Sequence, residues 1–413
     1  MARKMKDSGI EWIGEIPEGW EVVPVKRLCT MQAGKNLTSE QIAPEGTYPV
    51  YGGNGIRGFF SDYNCDGQFL TVGRQGALCG NVHKINGKVW ATEHAVIATP
   101  SSYTILDFLY FLLIGMDLNQ YVSSTAAQPG LAVGTLLNLK TCYPCSTLEQ
   151  TQISNYLNAK CSEIDVMLSK IRSSIEEHKK LKQAVITQAV TKGVRGEREM
   201  KDSGVEWIGK IPREFDPVQL KFFCKLITDG THFSPTTVEN GWPYITAGDV
   251  HGIGLDYNSA KRISEEDFQL LVAQGCQPLK GDVLLVKDGA TTGRVGFVDS
   301  DTPCVILSSV AMLRPADNTD GHYLMYLLAS DFLQKQILVS MAGSAMPRTT
   351  LTKLTKYIGL LPPLHEQKEI ANYLDAKCAE IDKLIAKKEQ LVKELESYKK
   401  SLIYEVVTGK REV

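Results

Sequence analysis

The segment EQTQISNYLNAKCSEID occupies residues 149–165, and a close copy, EQKEIANYLDAKCAEID, occupies residues 366–382. Twelve of the seventeen positions are identical, at an offset of 217 residues. Apolar residues recur at alternating steps of four and three from each copy onward, which is the pattern of a coiled-coil seam, interrupted only where Ile171 of the first helix becomes Lys388 in the second. The seam positions are 157, 161, 164, 168, 171 and 175 in the first copy and 374, 378, 381, 385, 392 and 395 in the second.

The repeat therefore predicts two long helices, each of about 40 residues and ending at Gly193 and Gly409. A lone helix could not bury its apolar stripe, so we expect the two helices to pack on each other. Because each helix is followed by a return to the same short peptide, antiparallel pairing is the simpler geometry.

That peptide is MKDSGIEWIGEIP at residues 5–17 and MKDSGVEWIGKIP at residues 200–212, with eleven of thirteen positions identical. The chain thus reads as two copies of one plan: a short peptide, a variable segment and a long helix. Suppose that the last residue of the chain were joined to the first. The two linkers, each from a long helix to the peptide that follows it, would then have nearly the same length. We therefore expect the two termini to lie close together, near one end of the coiled coil.

The variable segments, roughly residues 20–145 and 215–362, contain short strand-like runs separated by Gly, Pro and Asn. These runs are YPVYG, QFLTVG, WPYIT, DVLLVK and CVILSSVAML, and helices are expected at 105–121 and 322–340. The predicted fold class is α+β, with two tandem globules, an antiparallel coiled coil and a pseudo-twofold internal repeat. The predicted domains are 1–145, 146–195, 196–362 and 363–413.

Composition excludes several classes of protein. A chain of 413 residues is too long for one ordinary core. Its 45 basic and 47 acidic residues disfavour indiscriminate nucleic-acid coating, which needs excess Lys and Arg. The ten scattered cysteines indicate reduced thiols in the cytoplasm, and no run has the length of a membrane span.

The sequence contains only weak matches to catalytic and cofactor-binding motifs. GNGIRG at 53–58 fits a dinucleotide fingerprint, but no helical pattern follows it, so a glycine-rich turn is favoured. Cys142 and Cys145 form a single CxxC, too few ligands for zinc, and Cys161 and Cys378 lie in the apolar seam as packing residues. His94 lies in the strand-like run TEHAV and is interpreted as a packed or surface group. We expect no cofactor, no metal site and no catalytic activity.

The chain resembles, along essentially its whole length, the specificity subunits of type I restriction–modification systems. The likeness rests on the two SG(I/V)EWIG peptides, YPVYGGNGIRGFF (48–60), VGRQGALCG (72–80), TDGTHFSP (228–235), GDVLLVKDGATTGR (281–294) and LLPPLHEQKEIANYLD (360–375). The segment CYPCSTLEQTQISNYLN (142–158) departs from the last of these by lacking its double proline.

This resemblance implies two target-recognition domains, each reading one half of an asymmetric double-stranded DNA target, with the coiled coil setting the spacer. It also implies two methyltransferase subunits as partners, with restriction subunits able to join. Two alternatives stay open: a coiled-coil scaffold that binds no nucleic acid, and a nuclease or methyltransferase with an unrecognised site.

Candidate DNA-contacting residues are polar or basic side chains in or beside the glycine-rich loops, and a solvated surface role is the alternative for each. They are Arg57, Arg74, Gln75, Asn81, His83 and Lys84 in the first globule and Thr231, His232, Lys261, Arg262, Lys287, Arg294 and Arg348 in the second.

Two further sequence features, the GAxxG motifs and three tryptophans, are interpreted as structural and not as DNA-contacting. The GAxxG motifs at 76–80 and 289–293 occur in both globules, so they are interpreted as turns rather than as readers of two different half-sites. Trp12, Trp20 and Trp207 could stack on bases, but burial between peptide and globule is favoured because WIG recurs where the target must vary.

Overall fold

The computed structural model describes residues 3–75, 79–122, 130–205, 208–251, 254–341 and 347–413. The chain divides into two compact units. The first unit combines Met1–Arg172 with Glu389–Val413, and the second unit is Ser173–Lys388. The predicted domain boundaries follow the order along the chain, whereas each compact unit contains one globule and part of both long helices.

The elements of the first half of the chain form a β-rich globule followed by a long helix. The strands are β1 (Met5–Asp7), β2 (Glu15–Pro17), β3 (Trp20–Pro24), β4 (Cys29–Ala33), β5 (Tyr48–Gly52), β6 (Gly55–Phe60), β7 (Gln68–Gly73), β8 (Val82–Asn86), β9 (Trp90–Ala91), β10 (Ala95–Pro100) and β11 (Lys140–Pro144). The helices are α1 (Leu106–Gly115), α2 (Val133–Asn138) and α3 (Thr147–Lys192).

The second half repeats this plan with additional elements. The strands are β12 (Met200–Asp202), β13 (Lys210–Pro212), β14 (Asp216–Gln219), β15 (Cys224–Asp229), β16 (Thr237–Val238), β17 (Trp242–Ile245), β18 (Val250–His251), β19 (Gly254–Leu255), β20 (Lys261–Ile263), β21 (Val283–Val286), β22 (Val295–Phe297), β23 (Val305–Ile306), β24 (Val310–Pro315) and β25 (Ile358–Leu361). The helices are α4 (Glu265–Ala273), α5 (Gly321–Ala329), α6 (Asp331–Ser340), α7 (Leu351–Leu354) and α8 (Leu364–Val407).

The two globules have the same sheet topology. An antiparallel sheet has the order β4-β10-β7-β8 in the first globule and β15-β24-β21-β22 in the second. A smaller sheet, β6-β5-β9, corresponds to β20-β17-β23 of the second globule, where β16 adds a fourth strand beside β20. The pairs β5–β9 and β17–β23 are parallel. The longer second globule has β18, β19 and α4 between β17 and β21. The predicted internal repeat is therefore a repeat of fold.

The seam predicted from sequence is the buried face of the long helices. In the first unit, Leu157, Cys161, Ile164 and Leu168 of α3 belong to the same buried core as Ile403 of α8. In the second unit, Ile186 and Val190 of α3 share a core with Leu374 and Cys378 of α8. This burial stabilises the helices, because apolar area removed from water contributes about 25 cal/mol per Å².

The two helices run antiparallel in each unit, as predicted. In the first unit Asp165 of α3 pairs with Lys399 of α8 at 2.6 Å, and Arg172, farther along α3, pairs with Glu396, which is earlier in α8. In the second unit Lys182 of α3 pairs with Asp382 of α8 at 2.6 Å. These pairs are largely exposed, so they set register and contribute little stability.

Each helix ends at the predicted glycine. Gly193 has φ +72° and Gly409 has φ +73°, a left-handed conformation that glycine adopts without steric cost. A Cβ at Gly409 would also lie 2.4 Å from the ring of Pro17, so the chain end packs closely on the first peptide. Arg3, Glu15, Lys410 and Glu412 line one cleft there, which confirms that the terminal segments adjoin.

The repeated peptide forms a small β-hairpin in both units, β1–β2 and β12–β13. The side chains of Asp7 and Asp202 accept hydrogen bonds from the backbone N–H groups of Gly9 and Gly204, each at 2.9 Å. Trp20, which follows the first hairpin, is 1% exposed, which confirms the predicted burial, while Trp12 is half-buried. Trp207 lies outside the described residues.

A carboxylate in the first turn of each long helix joins that helix to the preceding hairpin. Glu149 of α3 accepts from Arg3 at 2.5 Å and from the indole N–H of Trp20 at 3.0 Å. Glu366 of α8 accepts from Arg198 at 2.5 Å, and its side chain is 1% exposed. Each Arg–Glu pair therefore anchors the hairpin at the position where the helix begins.

Two predicted helices differ in the structure. The segment 105–121 is an α-helix only from Leu106 to Gly115, and a separate 3-10 helix follows at Leu118–Tyr121, after Asp117 adopts a left-handed conformation with φ +43°. The segment 322–340 is two helices, because Ser330 adopts an extended conformation and Asp331 N–H donates to Thr187 Oγ1 of α3 at 3.0 Å.

Two predicted strands also differ. CVILSSVAML forms β23 and β24 with a turn between them, because residues 307 and 308 form backbone hydrogen bonds with Ile245 and Thr231. His94 lies in the turn between β9 and β10 rather than in a strand. The side chain of His94 lies 3.2 Å from Glu93.

The cysteines are free thiols, as predicted. Burial raises the pKa of Cys142 to about 12, and its thiol donates to the carbonyl oxygen of Val407. Burial likewise raises the pKa of Cys161 and Cys378 in the seam, so these thiols stay protonated at neutral pH. In the part of the chain that the structure describes, the long helices are too polar to cross a membrane.

We expect Glu366→Gln to lower the free energy of unfolding by about 3 kcal/mol, because the largely buried Arg198 would lose its counterion. Urea unfolding of the full chain measures this effect. Glu369→Gln is the matched control, since Glu369 pairs with Arg195 on the surface and its loss should cost less than about 1 kcal/mol. Equal losses for the two variants would contradict the proposed importance of the buried pair.

Candidate nucleic-acid interface

Many of the predicted DNA-contacting residues lie around a turn whose ends form the same backbone hydrogen bonds in the two globules. In the first, Gly73 N–H donates to Asn81 O at 2.9 Å and Gly80 N–H donates to Gly73 O at 2.8 Å. In the second, Val286 N–H donates to Arg294 O and Gly293 N–H donates to Val286 O, both at 2.8 Å. These bonds align residues 73–82 with residues 286–295.

The glycines explain this geometry. Gly80, Gly289 and Gly293 have φ values of +90°, +97° and +98°, which side chains rarely adopt. The GAxxG motif of the second globule is therefore a turn, as predicted, and residues 76–78 of the first copy lie outside the described residues. The alignment places Arg74 opposite Lys287, Gln75 opposite Asp288 and Asn81 opposite Arg294.

A second loop approaches this turn in the first globule, and we call the combination the first turn surface (residues 52–57, 74–75 and 81–83). GNGIRG forms the β5–β6 turn and strand β6, which confirms a glycine-rich turn rather than a dinucleotide site. Asn54 accepts from the amide of Asn81 at 2.8 Å, and a Cβ at Gly55 would lie 3.5 Å from the ring of His83.

The first turn surface therefore brings together five of the predicted residues: Arg57, Arg74, Gln75, Asn81 and His83. Arg57 is exposed, and the other four are half-buried. Burial lowers the pKa of His83, so its imidazole is uncharged at neutral pH and can donate from one nitrogen and accept at the other. Its Nε2 atom is buried and has no hydrogen-bond partner among the described residues.

Lys84 contacts two helices and not the first turn surface. Its ammonium lies 2.8 Å from Asp107 of α1, 3.2 Å from Asn158 of α3 and 4.5 Å from the ring centroid of Tyr110. Burial alone would raise the pKa of Asp107, but hydrogen bonds from Lys84 and Asn158 hold it below its usual value. Lys84 thus ties strand β8 to two helices, and we leave it out of the proposed interface.

The corresponding surface of the second globule, the second turn surface, comprises residues 229–232, 286–294 and 347–349. Lys287 is 2% exposed and lies 2.7 Å from Asp288 and 3.4 Å from Asp229. Arg348 lies 2.9 Å from the other oxygen of Asp288. The ammonium group of Lys287 is enclosed by two carboxylates beneath the second turn surface. Lys287 therefore stabilises this surface and is not available to DNA.

The remaining predicted residues of the second globule lie in three different environments. Arg294 and His232 are exposed beside these carboxylates, with His232 3.9 Å from Asp229. Thr231 is buried, and its hydroxyl accepts from Phe233 N–H at 2.9 Å, so it shapes the loop. Lys261 and Arg262 lie apart on β20 in the smaller sheet, where Arg262 donates to Tyr257 O at 3.0 Å.

Sequence reasoning missed Asn54 and His94. Asn54 bonds to Asn81, and the backbone oxygen of His94 accepts from Arg74 N–H at 3.0 Å. The position of Asn54 inside GNGIRG could have indicated it, since the neighbouring Arg57 was selected for its place in that loop.

The fold defines a class of protein in which one globular scaffold occurs twice, with different side chains at equivalent turns. Two copies of a family model, described as the type I restriction modification DNA specificity domain, match residues 17–177 and 212–394. The chain belongs to this family.

Individual relatives agree with the assignment. The EcoprrI specificity subunit of Escherichia coli is 45% identical over 121 residues, covering 28% of this chain and 30% of that protein. The MjaVIII specificity subunit of Methanocaldococcus jannaschii is 25% identical over 422 residues, covering 96% of this chain and 93% of that protein. Both are named as subunits of type I restriction enzymes.

A solved structure shows the same fold. One chain from work on complex assembly and conformational transition of the type I R-M system aligns with a TM-score of 0.70 at 16% identity. The alignment covers 96% of this chain and 99% of that chain, so the likeness of fold extends over nearly the whole of both chains.

We expect Lys287→Met to destabilise the protein by about 2 kcal/mol, because Asp229 and Asp288 would lose the cation between them. Arg294→Gln is the control from the same turn; its side chain is exposed, so stability should change by less than about 0.5 kcal/mol. Chemical denaturation of both variants measures the difference. If Lys287→Met were as stable as the parent, the supporting role of Lys287 would be refuted.

Proposed function

We propose that this chain is the non-catalytic specificity subunit of a type I restriction–modification complex, in which each globule reads one half of an asymmetric double-stranded DNA target. The observation that carries the proposal is the shared turn with different side chains. Gln75 and Asn81 in the first globule are replaced by Asp288 and Arg294 in the second. One scaffold can in this way recognise two unlike half-sites.

The side chains suit base reading in the major groove. Gln and Asn pair bidentately with adenine, Arg with guanine, and Asp accepts from the cytosine amino group. The first turn surface presents Gln75, Asn81, Arg57, Arg74 and neutral His83. The second presents Arg294, Arg348 and His232, with Lys261 and Arg262 as further contacts from β20.

The helix pair supports the proposed partners, two methyltransferase subunits that restriction subunits can join. In the first unit, Met167 and Tyr398 are each 50% exposed on α3 and α8. In the second, the residues at the corresponding positions, Leu384 and Leu181, are 41% and 51% exposed. Exposed apolar residues at repeated positions favour two copies of the same partner, because each half then offers the same contact.

We expect the chain with its methyltransferase partner to enrich one bipartite sequence from a random duplex library. Asn81→Ala should relax base preference in one half-site only, at a cost of about 1–3 kcal/mol for the preferred base. Arg294→Ala should do the same for the other half-site. Exchanging residues 215–362 for another globule of this family should likewise change a single half-site.

Several results would refute the proposal. If no sequence were enriched with the partner present, a scaffold that binds no nucleic acid would be the better description. Methylation or nicking of DNA by the chain alone would favour an enzyme. Loss of both half-sites on globule exchange would contradict independent reading by the two globules.

Spacer length provides a second test of this function. Inserting one heptad into each of α3 and α8 keeps the seam in register and lengthens the pair by about 10 Å. We expect the preferred spacer to grow by about three base pairs, at 3.4 Å each, with both half-site sequences unchanged. Enrichment sequencing of the bound DNA measures both quantities, and an unchanged spacer would show that the helices do not set the separation.

A further inference from the structure

Two clefts in the first unit meet on one face of α8. The larger, of about 1050 Å³, is bounded by α1, α3 and α8, and the smaller, of about 590 Å³, is bounded by α1, the start of β8 and α8. Ile114, Ser397 and Lys400 line both clefts, so the two form one continuous groove.

The wall that α8 contributes is a single stripe of the helix. Lys393, Ser397, Lys400 and Tyr404 follow one another at steps of four, three and four residues, which places them on one face. The two lysines are therefore about 10 Å apart along the helix axis. Tyr404 lies at the C-terminal end of this stripe, and it is held in place because its hydroxyl donates to Trp12 O at 2.8 Å.

The groove carries excess positive charge at these two lysines. Most of its other charges are neutralised in pairs, Lys399 with Asp165, Arg172 with Glu396 and Lys84 with Asp107. One exposed carboxylate, Asp117, also lines the smaller cleft, so the two lysines leave a net excess of one positive charge among the unpaired groups. Lys393 and Lys400 are exposed, and among the described residues neither has an ion-pair partner within 4.0 Å. Two unpaired ammonium groups in one groove are suited to a polyanion.

The groove also reaches the first turn surface. Asn81 and His83 line its smaller cleft, opposite Lys400 and Ser401 of α8. A nucleic-acid strand whose bases meet Asn81 would thus pass directly by this face of α8. Ammonium groups at such a position contact phosphates rather than bases.

We propose that DNA adjoining the first half-site lies along this groove, with Lys393 and Lys400 of α8 binding its phosphates. The helix then contributes to DNA affinity itself, in addition to holding the globules. The inference rests on the proposed function, since it takes the first turn surface to be a DNA-reading surface.

The second unit lacks these charges. At the offset of 217 residues, Glu176 corresponds to Lys393 and Gln183 corresponds to Lys400. Glu176 pairs with Lys179 at 2.8 Å, and the amide of Gln183 donates to Ala329 O at 2.6 Å. Lys180 stands at the position of Ser397, so this stripe has one exposed lysine in the second unit where the first unit has two. The two-lysine phosphate contact therefore belongs to the first half-site only.

The test uses the full chain in complex with its methyltransferase partner and the duplex that this complex selects. The association constant is measured between about 50 and 200 mM KCl for the parent, Lys393→Gln, Lys400→Gln and the double variant. We expect the slope of log K against log salt to become shallower by about 0.9 for each lysine removed, with base preference unchanged. Lys170→Gln, an exposed lysine of α3 that lines neither cleft, should leave the slope as it is.

The outcomes separate this inference from the proposed function. If the parent complex selects no sequence, the proposed function fails. If it selects a sequence but the double variant keeps the parent slope, only the phosphate contact is refuted. Loss of methyltransferase binding by the double variant, with the slope of any remaining complex unchanged, would show that a protein occupies the groove and would also overturn the inference.

Discussion

The Arg–Glu pair at the start of each long helix is the constraint on which the architecture depends. Glu366 is almost fully buried, so it must be paired, and Arg198 from the preceding hairpin pairs with it. The guanidinium also lies 5.1 Å from the ring centroid of Phe215, while Arg3 lies 5.6 Å from that of Trp20 in the first unit. Hairpin, globule and helix are thereby joined at one point in each unit.

The strands at the base of each globule complete this joint. The entry strand pairs with the exit strand in both cases, β3 with β11 and β14 with β25. A globule whose two ends are hydrogen-bonded neighbours can vary in length and content without moving the helices. The second globule accordingly contains β18, β19 and α4 between strands that have counterparts in the first.

The contacts between globule and helix are equivalent in position but not in charge. In the first unit the acid is on the globule, where Asp107 of α1 accepts from Asn158 of α3 at 2.7 Å. In the second unit the acid is on the long helix, where Asp375 of α8 lies 3.1 Å from His322 and accepts from Tyr326 at 2.8 Å. Moving the first globule onto the second joint would place Asp107 against Asp375. Each globule is thus matched to its own helix.

The sequence predicted the features that repeat at short spacing. The seam positions of α3 and α8 follow from periodicity, and the glycine turns follow from residue type, because both depend on neighbours along the chain. The break at Ser330 could not be predicted, since the N–H of the next residue, Asp331, donates to Thr187 of α3, 144 residues away from Asp331. The burial of Lys287 depends in the same way on Asp229, which precedes it by more than fifty residues.

Charge distribution finally bears on how such a chain can select DNA. A net charge of −2 gives no general attraction to a polyanion, and many lysines of the helix pair are bound to acids, as Lys399 is to Asp165 and Lys182 to Asp382. Under the proposed function, attraction comes from a few unpaired cations near the two turn surfaces and from the partner subunits. Because the non-specific contribution of such a chain is small, a few base contacts from each globule would be enough to dominate the choice of sequence.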